Sequence, residues 1–400
     1  MITAPTSAAP DWARWLDSME GVPEYQPPAP PTKPGRAVRA FERAGELAPG
    51  VALAFGLAVA GDRLAKLIGT DILGFPNSPV SPVPVAIVLG LLVRNTIGLP
   101  AVYERGLRLC GRDVLRAGIV LLGLRLSLGA VGEVGLTALP VVAACIVAAL
   151  VGATWLGRVL DLPRRLSALI AVGTSICGVS AIVAAAAAIE AEDDEVSYAV
   201  ACITLFGLLA LFGYPFFAFW ACGGDPRVAG IFLGTAIHDT AQVTGAGLIY
   251  QQQYAAPEAL SDATVTKLVR NACMAAVIPL MAALYLRAAT GRKRRVSWHQ
   301  AVPLFVPAFL LAAALRTAGD AGDRAFGVLS PEAWRGWLTA ADRASAWCLG
   351  LAMVAVGLGT GLGKLRNLGL RPLAVGLVAA LLVGGVSLAL LTLGRAIGWV

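Results

Sequence analysis

An all-α integral membrane protein with about eleven transmembrane helices, some of them broken, is the fold class this sequence predicts. Three observations carry the prediction. Of 400 residues, 57% are hydrophobic and only 14% charged, against about 45–50% and about 25% in soluble globular domains. The apolar residues gather into runs of membrane length separated by short basic connections. Two of those runs are interrupted by glycine-bearing polar motifs, Gly173-Thr-Ser-Ile-Cys-Gly-Val-Ser-Ala-Ile182 and Gly234-Thr-Ala-Ile-His-Asp-Thr-Ala-Gln-Val-Thr-Gly-Ala-Gly247.

Residues 1–46 are polar and proline-rich and read as a cytoplasmic tail. Within it Trp12, Trp15, Leu16 and Met19 recur at helical spacing, the pattern of an amphipathic helix at the membrane interface, and a proline-rich linker covers 23–34. There is no basic start followed by an apolar core, so insertion is expected to use the first spanning helix. Residues 47–400 form the polytopic domain. A spanning helix needs about 20 mostly apolar residues. That ruler places segments near 47–68, 80–98, 113–131, 134–157, 166–188, 196–221, 228–250, 264–287, 301–317, 344–363 and 372–394. A separate amphipathic element is expected at 330–341, where Ser330 caps, Pro331 opens, and Trp334, Trp337, Leu338 and Ala341 form one stripe.

Lys and Arg in short connections mark the cytoplasmic side. Arg105, Arg108 and Arg112, then Arg158, Arg164 and Arg165, then Arg227, then Arg292-Lys-Arg-Arg295, and finally Lys364, Arg366 and Arg371 fall in alternate connections. The acidic run 190–195 and the stretch 251–262 fall in the others. The N-terminus is therefore expected in the cytoplasm and the C-terminus in the periplasm.

The net charge of +7 is used up by this alternation, and no nucleic-acid partner is implied; the lipid bilayer is. Seven cysteines stand singly, and the two histidines, His238 and His299, are far apart. Neither a disulfide framework nor a metal site is expected, and no motif implies a cofactor.

Chemistry concentrates in three places. In 166–188, Thr174, Ser175, Cys177 and Ser180 surround Gly173 and Gly178. Hydroxyls and freed backbone N–H groups bind anions without a full positive charge, and a half-helix starting after Gly178 adds a favourable dipole. Close packing of small residues is the competing reading. In 228–250, Thr235, His238, Asp239, Gln242 and Thr244 lie where lipid depth is expected, and polar groups there mark a site or pathway by default. His238 and Asp239 are consecutive, so they face one groove only if the helix unwinds, which is tolerated where backbone lines a cavity. Protonating Asp239 removes a charge that repels an anion, and His238 exchanges protons near neutral pH. Both are candidates for proton coupling.

The third place is Lys267, Arg270 and Asn271, on one face of the next segment. The Arg270 guanidinium beside Asn271 offers a planar fork to an oxyanion. For Lys267, snorkelling to the interface and a role in the site balance. Arg125 fits snorkelling better. Weak echoes relate 118–129 to 352–363 and the two glycine motifs to each other, in the order A, B, B, A.

The two motifs, Thr204-Leu-Phe-Gly207 and Lys267-Leu-Val-Arg-Asn271 together closely resemble the YeiH-like sulfate exporter family of bacterial inner-membrane proteins. The resemblance runs from about residue 47 to the C-terminus. It implies an inverted-repeat secondary-transporter architecture similar to cation:proton antiporters and bile-acid symporters, with broken helices in a mobile transport domain beside a scaffold. It also implies a small-anion substrate of the sulfate or sulfite class, and homodimers are common in such architectures. A cation:proton antiporter using Asp239, a small organic-acid transporter and an intramembrane enzyme using His238 and Asp239 are the alternatives. No His-Glu-x-x-His or paired aspartate motif supports the enzyme, and no phosphate-binding loop supports an ATP-driven pump.

Overall fold

The computed structural model describes residues 36–72, 82–286, 304–322, 324–361, 363 and 369–399. The tail elements at 11–19 and 23–34, the basic run Arg292–Arg295, His299, and Lys364 with Arg366 lie outside the described residues. All contacts discussed below lie within the compact unit Gly45–Val400.

Among the described residues regular structure is helical, apart from one isolated bridge between Ala325 and Leu329. The helices are α1 (Arg36–Lys66), α2 (Pro82–Thr96), α3 (Ala101–Leu109), α4 (Leu115–Leu122), α5 (Leu128–Val159), α6 (Arg164–Ser175), α7 (Val179–Ile189) and α8 (Asp193–Ala221). They continue with α9 (Pro226–Ala236), α10 (Thr240–Tyr254), α11 (Pro257–Ala272), α12 (Met274–Leu286), α13 (Phe305–Gly319), α14 (Pro331–Gly359) and α15 (Leu370–Ala396). Among the described residues five stretches are long and apolar enough to cross a membrane: Ala44–Lys66, α5, α8, α14 and α15. The chain is an all-α, multi-pass membrane protein.

One expected element merges with another. Ser330 does cap, accepting the Ala333 N–H at 3.2 Å, and Pro331 opens the helix. The helix then continues without interruption to Gly359. The amphipathic stripe at 330–341 is the first three turns of α14, because nothing after Ala341 breaks the helix and Trp334 is anchored by donating to Asp320 Oδ1 at 2.8 Å.

The larger correction concerns 166–188 and 228–250, expected to span. Each folds back on itself as a hairpin of two half-helices. Leu162 N–H bonds Gly157 O at 2.8 Å, so α6 starts beside the end of α5. A Cβ added to Gly173 would meet both Ile182 and Ile203, which sets α6 and α7 side by side and antiparallel. A three-residue connection then leads into α8 at the end where α6 began. The second hairpin enters from the other end. Phe232 on α9 packs on Tyr214 and Phe217 of α8. On α10, Gln242 Nε2 donates to Thr204 O at 3.4 Å and Tyr254 stacks on Phe219 with centroids 3.9 Å apart. So α9 descends along α8 and α10 climbs back. With 12 and 11 residues in α6 and α7, each arm is about 16–18 Å long, half of a roughly 30 Å hydrocarbon core.

Two expected positions move as a result. The acidic run 190–195 sits at the end that holds Arg158 and Arg164, where Glu192 and Glu195 form a capping box on α8. Arg227 sits at the opposite end, paired with Glu133 at 2.8 Å.

Packing divides the helices into two bodies. Helices α5–α12 and α15 share a core that includes Val142, Leu169, Ile203, Phe232 and Leu391. Helices α2, α4, α13 and α14 pack around Ile87, Ile119, Phe309 and Leu349, and reach the first body through Leu211, Leu248, Leu260 and Met353. Helix α1 joins this second body with α3 through Ala54, Leu107 and Leu358.

Candidate functional site

The hairpin tips meet inside the bundle against α11, and the residues of the meeting point are those that leave helical geometry. Helix α6 stops at Ser175, Ile176 takes φ −123° and ψ −99°, and Gly178 takes φ +68° and ψ −124° as the N-cap of α7. That conformation is nearly closed to residues with a Cβ, so glycine fixes the turn. Helix α9 ends at Ala236. Asp239 then caps α10, accepting the Ala241 N–H at 2.8 Å, while its own N–H reaches Gln242 Oε1 at 3.4 Å. The Gln242 backbone N–H also donates to the Asp239 side chain, and this reciprocal pairing of Asp239 with Gln242 is a capping box.

Two cations tie the tips together. The Lys267 ammonium donates to Ile176 O at 2.7 Å, to Ile237 O at 3.0 Å, and to His238 O. Arg270 donates through Nε to Ser175 O at 2.6 Å, through Nη1 to Thr235 O at 2.5 Å and Ile237 O at 3.0 Å, and through Nη2 to Thr174 O. Both side chains are fully buried. The carbonyls they bind are the orphan acceptors at the C-terminal ends of α6 and α9, where a helix dipole is negative. The Arg270 fork, expected to face an oxyanion, is turned onto backbone.

On the other side of the tips the helix starts converge on one carboxylate. A Cβ on Gly178 would stand 3.3 Å from Asp239 Oδ2. Asp239 therefore lies against the N-terminus of α7 while capping α10. Gln242 is held by Thr204 O, and its amide fills the space where a side chain on Gly207 would be; only glycine admits it. Asn271 Nδ2 donates to Thr240 Oγ1 at 3.3 Å. Thr174 Oγ1, Thr266 Oγ1 and Asn271 Oδ1 are buried without a hydrogen-bond partner among the described residues.

The side chains of the remaining candidates make other contacts. Thr235 Oγ1 pairs with Ser387 Oγ at 2.6 Å on α15. Thr244 Oγ1 bonds its own helix at Thr240 O, 2.9 Å. The Cys177 thiol lies 3.9 Å from Met274 Sδ. Ser180 is exposed on α7, and His238 is fully buried beside the cations.

A cavity of about 590 Å³ reaches the tips from the arginine-rich end. Arg94, Glu104, Arg108 and Arg112 line its outer part; Thr204, Asp239 and Gln242 line its inner part. A second cavity, of about 530 Å³, approaches from the opposite end past Arg63, Arg125, Gln251 and Arg343. There Arg125 donates to Gln251 Oε1 at 3.0 Å and pairs with Asp342. In the sequence Arg108 and Arg112 carry an orientation signal and Arg94 carries none, while Lys267 balances between snorkelling and the site. The available signal for Lys267 was its pairing with Arg270 at i, i+3 inside a segment expected to be buried.

Paired half-helix hairpins whose tips meet over two buried basic side chains inside a helical bundle define a class of polytopic membrane protein with a polar centre. The chain belongs to the UPF0324 family: the family model described as "Conserved hypothetical protein 698" matches residues 49–376. A UPF0324 membrane protein of Yersinia pestis is 32% identical over 335 residues, covering 80% of this chain and 87% of the relative. UPF0324 inner membrane protein YeiH of Salmonella typhimurium is 31% identical over 353 residues, covering 84% and 92%. YeiH of Escherichia coli is 30% identical over 350 residues, with the same coverage. No solved structure matches.

Proposed function

We propose that the protein is a secondary transporter of the bacterial inner membrane that exports a small inorganic oxyanion of the sulfate or sulfite class, coupled to proton movement through Asp239. One observation carries the reading: two half-helix N-termini converge on Asp239 at the inner end of an arginine-lined cavity. Helix N-termini bind anions, and broken or re-entrant helices at mid-depth are how secondary transporters build substrate sites. An ionised Asp239 occupies the position an anion favours. Protonation frees it, so a divalent anion leaves with one proton and a net negative charge, which the inside-negative membrane potential drives outward. His238, buried beside two fixed cations, is the weaker of the two coupling candidates.

Nine crossings and two re-entrant hairpins replace eleven simple spans in this reading. The crossing number stays odd, so the N-terminus remains cytoplasmic and the C-terminus periplasmic. Arg94, Arg108, Arg112, Arg158 and Arg164 then face the cytoplasm. Hairpins entering from opposite ends, together with the A, B, B, A echoes, favour an inverted repeat. The body containing the hairpins would move against α2, α4 and α14 across their apolar contact, carrying the tips between the two cavities.

The carboxylate itself favours a second reading, a proton-coupled carrier of small organic acids, whose substrates present the same oxyanion chemistry. Exchange of radiolabelled sulfate in proteoliposomes, with sulfite, phosphate and small carboxylates as competitors, separates the two. Competition by sulfite and not by carboxylates supports the inorganic reading; the reverse discards it.

A further inference from the structure

The mid-depth carbonyls have a property that an anion site does not require. Six of them, from Thr174, Ser175, Ile176, Thr235, Ile237 and His238, are gathered from two hairpin tips within reach of two side chains. Unwound carbonyls at half-helix C-termini are the groups with which transporters coordinate a coupling sodium ion. Here the Lys267 ammonium, with three donors and no acceptor, meets three of them: Ile176 O, Ile237 O and His238 O. Arg270 takes the others and also donates to Ile237 O at 3.0 Å. Lys267 reaches this position because the α11 backbone passes directly behind both tips. Gly234 permits that approach, since a Cβ there would stand 2.6 Å from Thr266 Cβ and 2.7 Å from Ala263 O.

We propose that the carbonyls of Ile176, Ile237 and His238 form a monovalent-cation site filled by the Lys267 ammonium, which makes the protein independent of sodium, and that removing the ammonium opens the site to sodium. The fixed ammonium holds the two tips together without a dissociable ion. The inference concerns cation binding alone, so it stands or falls separately from the identity of the carried anion.

The test uses the full chain purified in detergent, wild type and Lys267→Ala, unfolded thermally in sodium, potassium or choline chloride at equal ionic strength. The wild type is expected to unfold at one temperature in all three salts and to bind no radiolabelled sodium. Lys267→Ala is expected to unfold earlier in choline and to regain about 5 °C in saturating sodium, the scale set by ligand linkage. Sodium-specific stabilisation or stoichiometric sodium binding by the wild type overturns the proposal. So does a folded Lys267→Ala that responds equally to all three salts. If Lys267→Ala folds only when prepared in sodium, the site is supported; if it folds in neither sodium nor choline, the opening of a sodium site is overturned.

Discussion

The two hairpins perform the same turn with different chemistry. The tip of α6–α7 is neutral: Gly178 supplies the backbone conformation, and no side chain caps α7. The tip of α9–α10 is charged: Asp239 caps its own helix through a capping box with Gln242 and leans on the first tip at Gly178. One hairpin offers bare helix-start amides and the other brings the removable charge that covers them. Both share the same fixed cations on their C-terminal carbonyls. The asymmetry teaches that, among the described residues of the two tips, Asp239 is the titratable group that lines a cavity.

The substitution expected to act most strongly on this contrast is Asp239→Asn. Asparagine caps a helix as well as aspartate, so the fold should persist while pH-driven anion exchange in proteoliposomes falls at least about tenfold. Undiminished pH-driven exchange would erase the distinction between the tips. Gly178→Ala probes the other tip: with φ at +68° and Asp239 against it, thermal unfolding should register a loss of roughly 1–3 kcal/mol. A loss well under that would mean the neutral tip is not held by its backbone.

The entry to the tips should matter less. Replacing Arg108 and Arg112 by glutamine is expected to slow uptake a few-fold at low ionic strength, with the difference fading at high salt, because exposed charges steer ligands and are screened. A salt-independent loss would place those residues in the site itself. The smallest effect belongs to Gln251→Ala, which removes the acceptor that Arg125 Nη1 reaches at 3.0 Å. Because Arg125 keeps Asp342, stability should change by no more than about 0.5 kcal/mol, read from denaturation midpoints.

Much of this centre was legible beforehand. The glycine motifs, Asp239, Gln242 and the α11 face with Arg270 and Asn271 stand out because polar groups within apolar runs need partners. Their partners were not legible. Thr235 faces Ser387, which is 152 positions away, and the Arg270 donors were assigned to a ligand although they bind carbonyls that exist only where the helices break. The neighbourhood of Arg94, Arg108 and Asp239 likewise depends on how α2, α3 and the second hairpin pack.

The sequence alone determined that this chain is helical, multi-pass and polar at its centre, because apolar length and charge placement answer to the bilayer regardless of detailed packing. Whether 166–188 and 228–250 cross or return was decided only by the tertiary structure. A run of about 23 apolar residues satisfies the hydrocarbon thickness as one helix or as two antiparallel halves. The choice rests on what can satisfy the broken ends, and those partners, Lys267 and Arg270, come from α11, a different segment of the chain.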